Sequence, residues 1–152
     1  DYSNKQHAGF IGHSYIGSWV NLGADTNNSD LKNNYSKIKI KLSNKEVDTG
    51  TQFLGLMIGD HSKSAINTMF NTGTVVGFSC NIFAPGFPEK YVPSFTWGGD
   101  SSSMVYDIKK AIETAKIVIQ DQAQQTAKGL GMSFNHALQD HLAQTLFALG
   151  SQ

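Results

Sequence analysis

The side chains of this 152-residue sequence best suited to chemistry near neutral pH are five histidines and one cysteine. An imidazole titrates in that range, so each histidine is a candidate proton carrier or metal ligand. His136 and His141 stand five apart on a predicted helix, which sets them on different faces. Paired helical ligands sit three or four apart, so these two are expected on the surface or in packing. His13 and His61 fall at corners of a repeat described below and are expected to be exposed. Cys80 takes a small-residue position in the same repeat and is expected as a buried filler. A single cysteine excludes an internal disulfide and a multi-cysteine zinc site, and no metal is expected. His7 remains, within "NKQHAGFIGHSYIGSWVNLGA" (4–24). Alone it is a polar residue near the start of the sequence; its neighbours make it a candidate.

The totals narrow the classes. Formal net charge is zero, so no basic surplus argues for nucleic acid and no acidic surplus for a disordered tail. No apolar run is long enough to span a membrane, and no signal-peptide pattern opens the chain. With one cysteine, a cytoplasmic setting is expected. The length suits one compact domain. Because the sequence opens on "DYSNKQH", it is expected to be a piece of a longer chain.

The elements that would position these residues are written in steps of six. Taking Ile16 as position one gives Ile16, Leu22, then an interruption, then Ile58, Ser64, Phe70, Val76 and Ile82. All but Ser64 are apolar, where about three would be expected by chance. Position two holds Gly17, Gly23, Gly59, Ala65, Asn71, Gly77 and Phe83, mostly small; position five holds Val20, Thr26, Ser62, Thr68, Thr74, Cys80 and Gly86, all small or β-branched. A helix repeats near 3.6 and a strand near two, so neither explains a period of six. A three-sided coil does. Each hexad supplies a short strand and a corner, and three hexads close one turn of a parallel β-helix whose faces stack. Position one points inward, position five faces the crowded interior, and glycine at position two permits tight backbone. Residues 10–27 and 52–87 give about three coils, too few to bury much surface alone.

Residues 28–51 break the repeat and are expected as an arm. "KIKIKL" (37–42) alternates lysine with isoleucine or leucine, so one face packs and the other is wet. Its lysines suit a solvated edge, or an arm reaching a neighbouring subunit or an anionic substrate. Residues 87–99 are expected as a cap, with Phe87, Tyr91, Phe95 and Trp97 covering the last coil. A helix is predicted from a serine cap at 101–103, with Val105, Ile108, Ile112, Ala115 and Ile119 as its apolar stripe, ending at Gly129 or Gly131. A second helix is predicted near Ser133, with Phe134, Leu138, Leu142, Thr145 and Leu149 on one face. The domain plan is therefore 1–99 for the coil, with its arm and cap, and 100–152 for a helical extension.

The hexads resemble those of the hexapeptide-repeat acyltransferases, and the resemblance implies a left-handed parallel β-helix. The stretch around His7 is similar to one in bifunctional glucosamine-1-phosphate acetyltransferase/uridylyltransferases of the GlmU type, roughly K-x-x-H-x-x-Y-x-G-D-x-x-I-G-x-x-V-N-I-G-A. The match is close over 3–27, looser over 58–87, and leaves the C-terminal helices outside. It implies an acyltransferase that moves an acetyl group from acetyl-CoA to the amine of an amino-sugar 1-phosphate. It also implies a homotrimer with sites between prisms, and a sugar nucleotidyltransferase domain preceding the coil. The histidine falls on His7, which becomes the general base, a role that suits a group titrating near neutrality. The tyrosine position falls on Phe10 and the asparagine on Asn21, beside the substrate. Ala24 and Ala84 match small positions lining the coenzyme, and a serine there falls on Ile66. With the tyrosine hydroxyl gone, the sugar phosphate would be held by Lys5, Lys32 or Lys37. The family's Asn-Tyr pair has a counterpart in Asn34-Tyr35 only across an insertion.

The asparagines have two readings. Asn21, Asn27 and Asn81 share one column of the repeat and can stack at a corner. Asn27 and Asn28, with Asn33, Asn34, Lys32 and Tyr35, can instead border a sugar site, since amides offer both donor and acceptor. The expected partners are a sugar phosphate or nucleotide sugar. The alternative function is a non-catalytic module that trimerises or regulates a sugar-1-phosphate nucleotidyltransferase.

Overall fold

A computed structural model describes residues 2–130. The helix predicted near Ser133, with His136 and His141, lies outside the described residues. The chain divides after Ile108 into two compact units.

The first unit is mainly β, in parallel sheets. Six-residue steps separate β1 (Tyr15–Ile16), β2 (Asn21–Leu22) and β3 (Asn27–Asn28). The arm follows, with β4 (Lys39–Leu42) and β5 (Lys45–Asp48). The six-residue step then resumes through β6 (Met57–Ile58), β7 (Lys63–Ser64), β8 (Met69–Phe70), β9 (Val75–Val76) and β10 (Asn81–Ile82). β11 (Tyr91–Val92), β12 (Thr96–Gly98) and β13 (Met104–Val105) complete the unit. The strands fall on three faces. β1, β6, β9 and β11 form one sheet; β2, β7, β10 and β12 form a second, with β13 at its end; β3 and β8 form the third. Met57 pairs in parallel with Val75, eighteen residues on, and Lys63 with Asn81, again eighteen on. That return fixes three hexads per coil.

Burial follows the hexad. Leu22, Ile58, Phe70, Val76 and Ile82 form the core with Val20 and Cys80, and Ile16 packs against it. Position five is small for a second reason that size does not reveal. Thr68, Thr74 and Thr96 each donate their hydroxyl to the carbonyl three residues back, on Ala65, Asn71 and Pro93. The hydroxyl thus satisfies a buried carbonyl at the corner, where an unpaired one would cost about 1–3 kcal/mol. The glycines of position two serve coil stacking. A β-carbon on Gly23 would lie 2.5 Å from the Ala65 carbonyl carbon, and one on Gly59 2.9 Å from that of Gly77.

Position four bends the chain. His13, Trp19, Asp25, His61, Asn67, Ser79 and Phe95 all have φ between 45° and 62°. Asn, Asp and His enter this region more readily than most residues, but Trp and Phe are genuine outliers there. Their rings are held in a ladder. Tyr2 stacks on Trp19 at 4.5 Å, Trp19 on His61 at 5.9 Å, and His61 meets Phe78 edge-on at 5.7 Å, followed by Phe95. His61 is therefore buried, only 3% exposed, and not the solvent-facing corner its neighbours in sequence suggested.

Both ends of the coil run further than predicted. Asn4 bridges to Asn21 in parallel, and Asn28 N–H donates to the Phe10 carbonyl, so a partial coil precedes β1. At the other end, Tyr91 and Trp97 belong to parallel strands, paired with Val75 and Asn81. Residues 91–98 are thus a shortened further coil rather than a cap. The third face is missing there because Pro85 and Pro88 supply no N–H for a ladder. The cover is β13, antiparallel on β12. Its residues were expected in a helix. Asp100 instead accepts from the Ser102 N–H and hydroxyl, and Ser103 Oγ accepts from the Gly99 N–H, so these serines shape a turn. α1 (Ile108–Leu130) follows. Its buried residues are Ala111, Ile119, Ala123 and Ala127, while Val105, Ile108 and Ile112 are exposed. The stripe therefore follows the alanines and excludes three of the expected positions. No described helix is long and apolar enough to cross a membrane.

The arm leaves the third face after Asn28 and returns at Gly55, whose N–H donates to the His13 carbonyl. β4 and β5 pair antiparallel through a two-residue turn at Ser43–Asn44. Ile38 is fully buried and, with Ile40, lies against Gly73 at a coil corner. The apolar face of the hairpin thus packs back on its own coil. Its lysines face outward, where Lys39 pairs with Glu46 at 3.0 Å.

His61 yields a test. Neither ring nitrogen has a hydrogen-bond partner, and burial, with Lys63 nearby, pushes its pKa down from 6.5 to about 4. Between those values the unfolded chain binds a proton that the folded chain refuses. Stability therefore falls as pH drops from about 6.5 to about 4, by at most roughly 3 kcal/mol. His61→Phe keeps the ladder, as Phe95 does in the same backbone conformation, and removes two unpaired polar atoms. Urea denaturation should show this variant to be more stable by about 1 kcal/mol or more at pH 7. It should also show a flatter stability profile across the acid window.

Candidate active site

The residues singled out in sequence separate into two groups. The first occupies the corner that follows the second face. Asp25 N–H donates to the Ala8 carbonyl, and Asn67 N–H to the Ala24 carbonyl, so residues 7–8 take the place in the partial coil that Gly23–Ala24 take in the next. Ile66 and Ala84 stand two residues beyond Ser64 and Ile82, which are paired in register. His7-Ala8, Ala24, Ile66 and Ala84 thus line one corner, one step per coil. At about 4.8 Å per step the column is roughly 14 Å long. Ile66 is 67% exposed, and His7 is exposed at the column's end.

The backbone around His7 is tied down. Lys5 Nζ donates to the carbonyls of His7 at 3.0 Å and Ala8 at 2.7 Å. Gly9 has φ 120°, and a β-carbon there would lie 2.2 Å from the Thr26 carbonyl oxygen. The exposed imidazole thus stands on a backbone held by these contacts. Phe10 is exposed and pairs through its backbone with β3. Asn21 lies outward at the start of β2.

Two asparagines expected near a sugar serve the backbone. Asn27 Oδ1 accepts from Phe10 N–H at 2.8 Å, and its Nδ2 donates to the Asp25 carbonyl at 2.7 Å. Asn28 is 4% exposed. Its Oδ1 accepts from Gly12 N–H at 2.8 Å, and its Nδ2 donates to the Gly12 and Ser29 carbonyls. Both donors of that amide are taken, so Asn28 locks the base of the arm and has none left for a hydroxyl.

The second group lies at the root of the arm. Lys32, with Ser29, Leu31, Asn33, Asn34, Asn71, Thr72 and Phe87, lines an open cavity of about 480 Å³. Lys32 Nζ donates to the Lys37 carbonyl at 3.1 Å. Tyr35 is exposed, and its carbonyl accepts from Gln52 Nε2. Neither is joined to the His7 corner by a described contact. No cluster of three or more His, Cys, Asp or Glu side chains that could hold a metal occurs among the described residues. Cys80 is buried as expected, and burial pushes its thiol pKa up. Sequence reasoning missed Lys90, whose ammonium reaches the Thr72 carbonyl. Its setting, "PEKY", carries no repeat or motif that could have marked it.

A parallel coil with a histidine at the head of an exposed corner column is the class of protein these observations define. Comparison with known proteins gives it relatives. Over 84 residues the chain is 31% identical to a bifunctional sugar-1-phosphate nucleotidylyltransferase/acetyltransferase of Sulfurisphaera tokodaii, a match covering 55% of this chain and 21% of that protein. Over 91 residues it is 30% identical to the bifunctional protein GlmU of Methanocaldococcus jannaschii, covering 60% of this chain and 22% of the other. The chain is thus related to bifunctional proteins of the GlmU type, and its match spans about a fifth of their length. No family model matches the sequence.

The two kinds of asparagine predict opposite phenotypes. Asn28→Ala leaves the Gly12 N–H and carbonyl unpaired and should destabilise the protein by about 2 kcal/mol or more in urea denaturation. Asn21→Ala removes an outward side chain and should stay within about 0.5 kcal/mol of the parent.

Proposed function

We propose that this chain transfers an acetyl (acyl) group from acyl-CoA to the amine of an amino-sugar 1-phosphate, within a GlmU-like protein of sugar-nucleotide biosynthesis. The coil would be left-handed and would work as a homotrimer. The observation that carries the proposal is the exposed His7 imidazole on an anchored backbone, at the head of a column formed by Ala24, Ile66 and Ala84. A thin pantetheine arm fits along such a column of small or apolar residues, with its thioester at the histidine. The relatives support the reading, since both are bifunctional and one is named as an acetyltransferase.

The chemistry follows from the amine. As an ammonium it has no lone pair, so His7 takes its proton and frees the nitrogen to attack the thioester carbonyl. The new C–N bond forms, the nitrogen of the adduct gives up a second proton to water, the tetrahedral oxyanion collapses as the C–S bond breaks, and the coenzyme thiolate takes the proton held on His7. Backbone N–H groups of the column would stabilise the oxyanion. Phe10 offers no hydroxyl to the sugar phosphate, and the Lys5 ammonium, held on the carbonyls of His7 and Ala8, would take that task. Asn21 would face the sugar.

One observation favours a second reading, a non-catalytic module that trimerises or regulates a nucleotidyltransferase. Asn27 and Asn28, two of the amides expected to meet a sugar, are engaged by backbone. The two readings separate in one assay. Mixing the protein with acetyl-CoA and glucosamine 1-phosphate and following free thiol should reveal turnover. His7→Ala should lower kcat by about a hundredfold to ten-thousandfold while the oligomer survives. Undiminished turnover in that variant removes His7 as the base. Absence of turnover in the parent, with saturable nucleotide-sugar binding, selects the module.

A further inference from the structure

All twelve basic residues of the chain are lysines, so any phosphate it holds by a cationic side chain is held by an ammonium. Two of these lysines meet at the cavity beside the root of the arm. Lys32 lines it, and the Lys90 ammonium is anchored on the carbonyl of Thr72, another lining residue. Neither ammonium has a carboxylate partner among the described residues, and no acidic side chain lines the cavity. The nearby carboxylate of Asp30 is engaged by His13 at 2.8 Å.

The rest of the lining has the same polarity. Asn34 Oδ1 accepts from Ser36 N–H, and Asn71 Oδ1 accepts from Thr72 N–H, so both acceptors already serve the backbone. Their amino groups are left with no described partner, as is the amide of Asn33. A cavity that presents ammonium and amide donors, with its own acceptors engaged, is complementary to a ligand made of acceptors. Phe87, exposed at the rim, adds an apolar face on which a sugar ring can lie.

We propose that the cavity lined by Lys32, Asn34, Asn71 and Phe87, with the Lys90 ammonium beside it on the Thr72 carbonyl, binds a sugar phosphate monoester, its phosphate between the two ammoniums and its ring against Phe87. This site goes beyond the acyl-transfer reading and does not rest on it, since no described contact joins it to His7. The volume, about 480 Å³, falls in the ordinary range of small-ligand pockets. The electrostatics agree with the geometry. Burial and the neighbouring Lys32 both push the Lys90 pKa down, so an anion between the two relieves a repulsion already present.

Calorimetric titration of the whole chain at low ionic strength tests the site. Glucose 1-phosphate, inorganic phosphate and glucose are the probes. Glucose 1-phosphate should saturate, inorganic phosphate should bind more weakly, and glucose should not bind. Lys32→Gln and Lys90→Gln should each weaken glucose 1-phosphate binding by about tenfold or more, and the pair should abolish it. Lys45→Gln, on the exposed hairpin, should bind as the parent does. Because Lys90→Gln also removes the contact to Thr72, Lys32→Gln is the decisive single variant, with its fold checked by thermal denaturation. Equal binding of glucose and glucose 1-phosphate would overturn the proposal. So would unchanged binding in Lys32→Gln, no binding to the parent at millimolar concentrations, or loss of binding in His7→Ala with retention in Lys32→Gln.

Discussion

The coil rests on direct contact between the backbone of one turn and the backbone of the next. At the start of four corners no space is left for a β-carbon, and the chain answers with glycine at Gly17, Gly23, Gly59 and Gly77. The ladder of N–H donors runs through those residues, from Gly17 to Ile58, Gly59 to Val76 and Gly77 to Val92. A single hydrogen bond adds only about 0.5–1.5 kcal/mol net, but an unmade one inside the prism costs more than a made one contributes. Two-residue strands survive because each is paired with a strand of the next coil at this separation, and β6, β7, β9 and β10 are paired on both sides. The hydrophobic core, to which Leu22, Ile58, Phe70, Val76 and Ile82 contribute from all three faces, fills the space that the ladder encloses.

Turning the chain so sharply has its own cost. A non-glycine residue in the left-handed region is disfavoured by roughly 1–2 kcal/mol, and seven hexad corners use one. The sequence offsets this differently at each vertex. Asp25 and Asn67 are residues that tolerate the conformation. Trp19, His61 and Phe95 do not all share that tolerance, and along their vertex ring stacking and burial supply the compensation. The polar member of that ladder, His61, is the least well satisfied group in it.

Much of this was legible in the sequence, because a period of six has few physical causes. Positions one and five were read correctly as inward, Cys80 included, except at Gly86, which is exposed in the stretch where the third face is missing. What escaped was carried by relations that spacing does not encode. The turn at Asp100–Ser103 looked like a helix cap because serines and an aspartate serve both purposes, and the choice lies in where the Ser103 hydroxyl points. His61 looked exposed because corners usually are; its burial comes from Trp19 and Phe78, brought alongside by coil stacking. Of the candidate site, His7, Ala24, Ile66 and Ala84 were singled out only by resemblance to a known motif; the hexads do not encode their column, because Ala8 matches Ala24 across sixteen residues rather than eighteen. The division of labour among the asparagines was not legible. Asn21, Asn27 and Asn28 are alike in composition, and only their distances to Gly12, Phe10 and Asp25 distinguish a latch from a free amide.

The arm also bears on the order in which the molecule can assemble. Met57 finds Val75 across eighteen residues of chain, whereas Tyr15 must find Met57 across forty-two, because the arm intervenes. Closing the longer loop costs more entropy, though only by a fraction of a kcal/mol on logarithmic scaling. Local closures come first where all else is equal. The uninterrupted coils from Met57 to Ile82 are thus the natural nucleus, and the turns bearing His7 dock on them late. The end of the prism that carries the candidate base therefore takes its final shape only after the chain beyond the arm has taken its own.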